Sequence, residues 1–502
     1  MVLIMSEEKF DKRFHYVFFN FTGTIINAVL KFLTIIIIVR LLTVADFGVF
    51  NILLSILSVV SLIGSLGLEP IMERFIPEYH EKKNYHLMKK LIKNSVAIKF
   101  AAGLALAAAV IFFSPALSLA FQTNVQDFTF ILGILIIVLL EVKLLDIVVL
   151  SLLDHKYRFL FNVASAASYL LLSYMLLVLG YGVNGVLIAY LVMNLVLFLG
   201  FFARTYLLIL RKKHLGDKIP IFRRVFRYGL PMYMTGLGDI IFNVSLDNFL
   251  ISFFLGTFFV GLYSFAFTIP QYLFVYSPAL IAAPVVLPIS IRKYIRTESS
   301  EQLNSSFKFY NKATAFFSIP LAVGTIILSH GIIEYIFGNE YLQAAEVFTF
   351  FIIIFAIWSF ARPISIIIRV LERADIVIKG RIFILWNLIM DIILIPIVGI
   401  MGAAIATGTS ILFLMLFQLY LIRRQITLSY PWKGFLIIIV NTIPMTLFIL
   451  FVRTLIVDIF SLAAVIIIGI VIYFATSKLN KPFKNDTSII SQRTRLNIFR
   501  YF

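Results

Sequence analysis

Residues 14–50 read FHYVFFNFTGTIINAVLKFLTIIIIVRLLTVADFGVF. Residues 14–42 of this run are apolar and long enough to cross a bilayer core, for which about 20 residues suffice. Asn20, Thr24, Asn27, Lys31 and Thr34 interrupt it at steps of 4, 3, 4 and 3, a spacing that puts them on one helical face. Outward from this stretch, thirteen more of the same kind can be marked: 47–67, 90–113, 127–150, 157–179, 184–210, 228–254, 258–289, 304–328, 344–369, 376–396, 400–422, 432–454 and 456–477.

The gaps between them alternate strictly between rich in Lys and Arg and nearly free of them. The N-terminal tail, every second gap with the span ends that flank it, and the C-terminal tail hold 34 of the 43 Lys and Arg, while the opposite span ends carry only Arg40 and Arg453. Short basic loops stay in the cytoplasm, so both termini are expected inside and the number of crossings even. The chain therefore reads as a multi-pass protein of the inner or plasma membrane. The start MSEEKFDKR runs into a span too long for a signal-peptide core, which predicts no cleavable leader.

Composition narrows the function. The chain has 502 residues, 61% of them hydrophobic and 14% charged, far from the soluble globular range. A net charge of +18 would suggest nucleic acid in a soluble protein. Beside apolar spans, membrane topology and an anionic leaflet explain it better, and no nucleic-acid partner is expected. With no cysteine there is no disulfide, thiolate metal site or cysteine nucleophile. The six histidines are scattered and no Gly-rich phosphate loop is present, so neither a metal nor a cofactor is expected. The gaps are too short to hold a soluble domain.

The chain also repeats itself. Leu42, Gly48 and Phe50 after the first stretch match Leu255, Gly261 and Tyr263 after the seventh, at an offset of 213. Gly182-Val183-Asn184-Gly185-Val186-Leu187-Ile188-Ala189 and Gly399-Ile400-Met401-Gly402-Ala403-Ala404-Ile405-Ala406 share GxxGxxxA at an offset of 217. Leu153-Asp154 echoes Leu371-Glu372 at 218. Six spans per repeat is an even number, so both copies point the same way and a pseudo-twofold runs along the membrane normal. The expected fold is an all-α membrane protein of 14 transmembrane helices: two six-helix lobes plus two C-terminal helices. Its divisions are an N-lobe at 1–210, a basic cytoplasmic linker at 211–227, a C-lobe at 228–425, the last two spans at 426–477 and a basic cytoplasmic tail at 478–502.

Stretches one, two, seven and eight are the polar ones. Asn51, Ser55, Ser58 and Ser61 mark the second; Thr235, Asp239, Asn243 and Asp247 the seventh; Ser264, Thr268, Gln271, Tyr272 and Tyr276 the eighth. The last two are nearly featureless runs of Ile, Leu, Val and Phe. Interhelical hydrogen bonding accounts for many single Ser and Thr residues. A charge near mid-membrane is costlier, about 2.5–3.5 kcal/mol on the lenient scale, and demands a partner or a wet cavity. Two readings of Lys31 stand: an ion pair with a carboxylate such as Asp247, or a cation offered to an anionic substrate. Asp239 and Asp247 are either structural counter-ions or proton-coupling carboxylates. Lys143 and Asp146 are placed to pair along their own helix. Arg362, just before Pro363, is a candidate cavity cation, Asp391 and Asn387 sit one turn apart, and Lys308 and Lys312 are expected to face the inner surface.

These features together resemble the polysaccharide-transporter (Wzx-type) flippases of the multidrug/oligosaccharidyl-lipid/polysaccharide exporter superfamily. The residues that carry the resemblance are Arg40-Leu41-Leu42 with Asp46-Phe47-Gly48-Val49-Phe50, Tyr228-Gly229-Leu230-Pro231, Gly261-Leu262-Tyr263, Ile336-Phe337-Gly338-Asn339-Glu340-Tyr341 and the run from Pro396 to Thr407. The resemblance implies a cleft lined mainly by spans one, two, seven and eight. It implies alternating-access export of polyprenyl-phosphate- or pyrophosphate-linked oligosaccharide from the cytoplasmic to the outer leaflet, for polysaccharide or glycan biosynthesis, with a glycan polymerase or glycosyltransferases as candidate partners. The cleft candidates are then Asn20, Thr24, Asn27, Lys31, Asn51, Ser55, Gln271, Tyr272 and Arg362, and the ion- or proton-coupling candidates Asp239, Asp247 and Asp391. The cations would meet the lipid phosphate. No catalytic residue is assigned. The competing reading is a cation-coupled multidrug exporter of the same superfamily.

Overall fold

In a computed structural model, the structure describes residues 7–211, 229, 233, 244–281 and 300–484, with side chains from Gly23 onward except at Val244, Ile281 and Ala374. The described residues are helical with short connections. Among the described residues, eleven helices are long and apolar enough to cross a membrane, and twelve if Ser300–Ile327 and Ser329–Phe337, bent by 78° against each other, form one span. Thr129–Ser151 is long enough as well but carries Glu141, Lys143 and Asp146. Most of the seventh stretch lies outside the described residues, as do the 212–227 linker and the cations at 292–296. The protein is a multi-pass membrane protein.

Packing divides the chain into two units, Met1–Ser264 and Phe265–Phe502. The first holds α1 (Glu7–Leu41), α2 (Val44–Ile63), α3 (Leu68–Glu81), α4 (Tyr85–Ala120), α5 (Thr129–Ser151), α6 (His155–Val178), α7 (Gly182–Thr205), α8 (Val244–Leu255) and the first turns of α9 (Thr257–Val275). Within it α1 packs on α6, α6 on α7, and α5 on α4, α7 and α3, while α2 lies against α8. Thr43 starts α2: its hydroxyl accepts from the Asp46 amide at 3.1 Å and donates to the Asp46 carboxylate at 2.8 Å, so two residues of the Arg40–Phe50 motif act as a reciprocal cap. Helix α3 arises where the sequence shows only a basic gap. Leu68, Ile71, Met72, Phe75, Ile76 and Tyr79 form its buried stripe, against Leu87, Met88, Leu91 and Ile92 of α4. Their spacing is that of an amphipathic helix.

The second unit holds α10 (Ser300–Ile327), α11 (Ala345–Ser359), α12 (Ala361–Val370), α13 (Ile382–Val398), α14 (Ile400–Arg423), α15 (Trp432–Val452) and α16 (Ile459–Asn480). Helix α10 packs on α11 and α15, α13 on α14, and α15 on α16. Phe265 is fully buried among Phe337, Tyr341 and Phe348 at ring distances of 5.0, 4.6 and 5.7 Å. The connection through Gly338 needs φ +116°, which only glycine adopts freely. The Ile336–Tyr341 motif is thus a turn that delivers two aromatic anchors.

Two expectations about this unit are corrected. Its last two helices are not featureless: Asn480 donates to Asn441 at 2.7 Å, and Thr476 to the Asn441 carbonyl at 2.9 Å, across the buried α15–α16 contact. Nor does Lys312 face the inner surface. It is 7% exposed, its stem lies on Gly434, and its ammonium is 5.7 Å from the centre of the Phe483 ring. The chain turns back through Lys481, at φ +43°, to insert Phe483 there.

Asp458, between α15 and α16, forms a capping box with Ser461: its carboxylate accepts from the Ser461 amide at 2.7 Å while its own amide donates to the Ser461 hydroxyl at 3.0 Å. Hydrogen bonds from Ser461 hold its carboxyl below the usual carboxylate range. The cap is fully present above the ordinary carboxylate value and is lost as pH falls through the lowered native value. The protection factor of the Ser461 amide is expected to fall as pH drops through that lowered value, and to be low at every pH in Asp458→Ala.

Candidate functional site

The repeat is visible in the backbone. A methyl group built on Gly48 would lie 1.9 Å from the Thr257 carbonyl oxygen, and one on Gly261 2.0 Å from that of Val44. Val44 and Thr257 are also 213 apart. Each copy therefore presents its glycine to the other copy's equivalent carbonyl, the reciprocal pattern of a twofold contact. Gly182 and Gly399 agree: both take left-handed φ, +51° and +66°. The third echo shifts by one residue. The left-handed residues are Leu153 and Glu372, and the next amides, Asp154 and Arg373, bond back to Val149 and Ile368. This is the Schellman ending of a helix, which fixes equivalence by hydrogen-bond position rather than by residue type.

Next to the glycine contact, α2, α8 and α9 share a buried polar cluster. Asn51 donates to the Phe47 carbonyl at 2.8 Å, and Ser55 to the Asn51 carbonyl at 2.8 Å. Asn248 donates to Ser55 at 3.0 Å and accepts from Ser264 at 3.0 Å. Asp247 accepts a hydrogen bond from the Tyr263 hydroxyl. Ser55 and Asp247 are each 2% exposed. Asn51, Ser55, Asp247 and Ser264, all singled out in the sequence, thus meet here, with Asn248 as the link between Ser55 and Ser264 that the sequence reading overlooked.

The α1 stripe is more open. Thr34 is buried, Asn27 and Lys31 are half-buried and Thr24 is exposed. The side-chain oxygen of Asn27 is buried with no hydrogen-bond partner among the described residues. Lys31 has no ion pair with Asp247. Of Asn20 only the backbone is described, and Asp239 lies outside the described residues.

In the second unit Gln271 and Tyr272 are half-buried, with the Tyr272 ring 5.3 Å from that of Tyr276. Arg362 opens α12 after a break at Phe360. Its guanidinium lies 5.2 Å from the Trp358 ring centre, and its Nε is buried without a partner among the described residues. Asp391 is fully buried, and one turn away Asn387 donates to Thr407 at 3.3 Å.

Further charges pair differently from expectation. Asp146 takes Arg158 in a two-pronged bridge at 2.6 and 2.9 Å, not Lys143. Arg158 brings a planar fork that a flexible ammonium three residues away cannot match. Lys99, fully buried in α4, pairs with Glu69 of α3 and donates to the Leu140 carbonyl at 3.1 Å. The sequence reading missed Lys99, although a lone cation inside an apolar span was signal enough.

Comparison with known proteins places this geometry. The chain is similar to a solved structure of the lipid II flippase MurJ in an inward closed conformation, at 21% identity, with 91% of this chain and 97% of that one covered and a TM-score of 0.67. A multidrug resistance MATE family transporter of the MOP superfamily, solved facing inward, is similar at 16% identity, with 79% and 95% covered and a TM-score of 0.61. At these identities the likeness is one of fold. The probable low-salt glycan biosynthesis flippase Agl15 of Haloferax volcanii is 25% identical over 193 residues. That match spans 38% of this chain and 39% of the archaeal one. The sequence pattern of the polysaccharide biosynthesis proteins matches residues 37–346, more than half of the chain, and so, with a fold shared with MurJ and the MATE transporters, the chain belongs to the polysaccharide biosynthesis protein family.

Proposed function

We propose that this chain is a flippase that moves polyprenyl-phosphate- or pyrophosphate-linked oligosaccharide from the cytoplasmic to the outer leaflet of the cell membrane, by alternating access between its two repeats. Family membership and the flippase relatives support the class of activity. Lys31 carries the substrate reading. It is a half-buried cation well inside a membrane span, with no carboxylate partner among the described residues, one turn from the unpartnered Asn27 oxygen. A lipid phosphate supplies the anion such a lysine lacks, and sugar hydroxyls supply donors to Asn27. Polar groups like these replace the hydrogen bonds that a glycan would otherwise forfeit in hydrocarbon. Thr24, Asn20, Gln271, Tyr272 and Arg362 complete the proposed lining. Asn51 and Ser55 join it when the α2–α8 contact opens.

In this reading both termini are cytoplasmic, the lobes are 1–210 and 228–425, and Asp239, Asp247 and Asp391 are the candidates for ion or proton coupling. A glycan polymerase or glycosyltransferases would supply or consume the substrate. A multidrug exporter would instead offer open carboxylates to cationic drugs. Asp247 and Asp391 are buried, and Asp247 is already hydrogen-bonded, which favours the glycan lipid.

The test is reconstitution into vesicles with a fluorescent lipid-linked oligosaccharide. Wild type is expected to flip it, and Lys31→Ala to flip it about 10–100-fold more slowly, the loss expected for one charge-assisted hydrogen bond. Transport of a cationic dye in place of the lipid, or an undiminished rate in Lys31→Ala, would overturn the reading.

A further inference from the structure

Glu141, in the middle of α5, is 4% exposed, and both its carboxyl oxygens are buried without a hydrogen-bond partner among the described residues. Native proteins seldom leave a buried carboxylate so bare, because an ion out of water needs a counter-ion or donors. The nearest remedy is already in place. Lys99 donates to the carbonyl of Leu140, the residue just before Glu141, and its charge acts on the Glu141 carboxyl. Its ion pair is nevertheless with Glu69. One buried lysine therefore stands between two acids and serves one of them.

The other charges on the elements packed against α5 stand elsewhere, and Glu73 of α3 and Lys90 and Lys93 of α4 are exposed. Lys143 of its own helix points outward, within electrostatic range of Glu69 and Lys99. Of the elements packed on α5, α2 carries only Asp46, engaged with Thr43 at its first turn. Helix α7 carries only Arg204, paired with Asp154. From α6, Arg158 pairs with Asp146, and His155 and Lys156 lie in the first turn.

Glu69 stands in the first turn of α3, just after a tight turn. The turn before α3 passes through Leu66 and Gly67 in left-handed conformations, φ +50° and +69°. Gly67 and Ile71 press on Gly229: added methyl groups would come within 2.6 Å of the Gly229 carbonyl oxygen and 2.4 Å of Ile71. Gly229 belongs to the motif that opens the seventh stretch, so a shift there reaches α3 directly. The far end of α3 carries exposed Arg74 and Lys82 on Glu78, a pattern that belongs in water.

We propose that Glu141 is a proton-binding site and that Lys99 is the cation it shares with Glu69. In the state seen here Lys99 pairs with Glu69 and Glu141 holds a proton. When α3 carries Glu69 away toward water, Lys99 turns to Glu141, which releases its proton and becomes the new partner. One proton leaves per switch, Glu69 stays ionised, and the buried group is neutral in both states. This deepens the transport reading by adding a coupling group within one repeat, but its test needs no substrate.

The experiment is infrared spectroscopy of the purified full-length protein in lipid nanodiscs at neutral pH. Wild type is expected to show a protonated-carboxyl C=O band that is lost in the isosteric Glu141→Gln. The decisive variant is Glu69→Gln, at a less buried position. It frees Lys99 for Glu141, so the same band is expected to disappear although Glu141 is intact. A wild-type spectrum that does not differ from Glu141→Gln in this region would overturn the proton site. A band unchanged in Glu69→Gln would overturn the sharing of Lys99. An inactive flippase would leave both readouts legible, and an active one showing neither effect would sink this inference without touching the transport reading.

Discussion

Gly48→Ala is expected to destabilise the protein by about 3 kcal/mol, the upper end of the range for overpacking. The added methyl group would sit 1.9 Å from a backbone oxygen, where ordinary contact begins near 3.4 Å. Both partners are main chain in the first turns of α2 and α9, so no side chain can rotate away. The helices themselves would have to part by more than 1 Å, and parting them strains the Ser55–Asn248–Ser264 bonds alongside. Gly261→Ala, clashing at 2.0 Å with Val44, is expected to match it. The double variant should cost much less than the sum, because one separation of the helices relieves both clashes. Gly399→Ala is the control. Nothing lies near its methyl group, and only the backbone resists, because φ +66° with ψ −145° is a conformation that a side chain tolerates at about 1–3 kcal/mol. Unfolding midpoints of the purified proteins in detergent check the ranking. Equal midpoints for Gly48→Ala and wild type would mean that the reciprocal contact contributes nothing.

The second large effect is expected at Lys99. Lys99→Met keeps the length of the side chain and removes the charge, leaving Glu69 facing α4 without its cation. Breaking one side of a buried ion pair costs about 3–5 kcal/mol. Lys99 is fully buried and Glu69 keeps 18% of its side chain exposed, so the loss should fall toward the lower figure. Removing the orphaned acid as well, in Lys99→Met with Glu69→Gln, is expected to restore most of the stability. If the double variant is as unstable as the single one, the hydrogen bond from Lys99 to the Leu140 carbonyl, rather than the pairing with Glu69, carries the stability. The same unfolding midpoints decide between them.

The sequence shows much of the fold because membrane crossing is a local property. A run such as 432–454 declares itself by length and apolarity whatever it packs against. Gly182 and Gly399, paired in the sequence only as an echo, both take positive φ. The polar character of spans two, seven and eight was also legible, and Ser55, Asp247 and Ser264 do meet in one buried cluster. Their exact partners were not. Asn248 lies next to Asp247 but off the four-residue stripe of Thr235, Asp239, Asn243 and Asp247, yet it is the link between Ser55 and Ser264. Arg158 displaces Lys143 as the partner of Asp146, and Asn441 and Asn480 turn two bland spans into a hydrogen-bonded pair.

By itself, then, the sequence determined how many apolar runs there are, which gaps are basic, and that one half echoes the other. Each of these follows from the bilayer's thickness, its charge asymmetry and a fixed offset along the chain. Only tertiary structure decided which buried charge answers which: Lys99 with Glu69 thirty positions away, Glu141 beside them with no donor among the described residues, Lys312 under Phe483. Those choices depend on how each helix is rotated against its neighbours. Rotation is set by glycines that let backbones touch and by the few polar atoms that must find one another, and neither is a property of any single span.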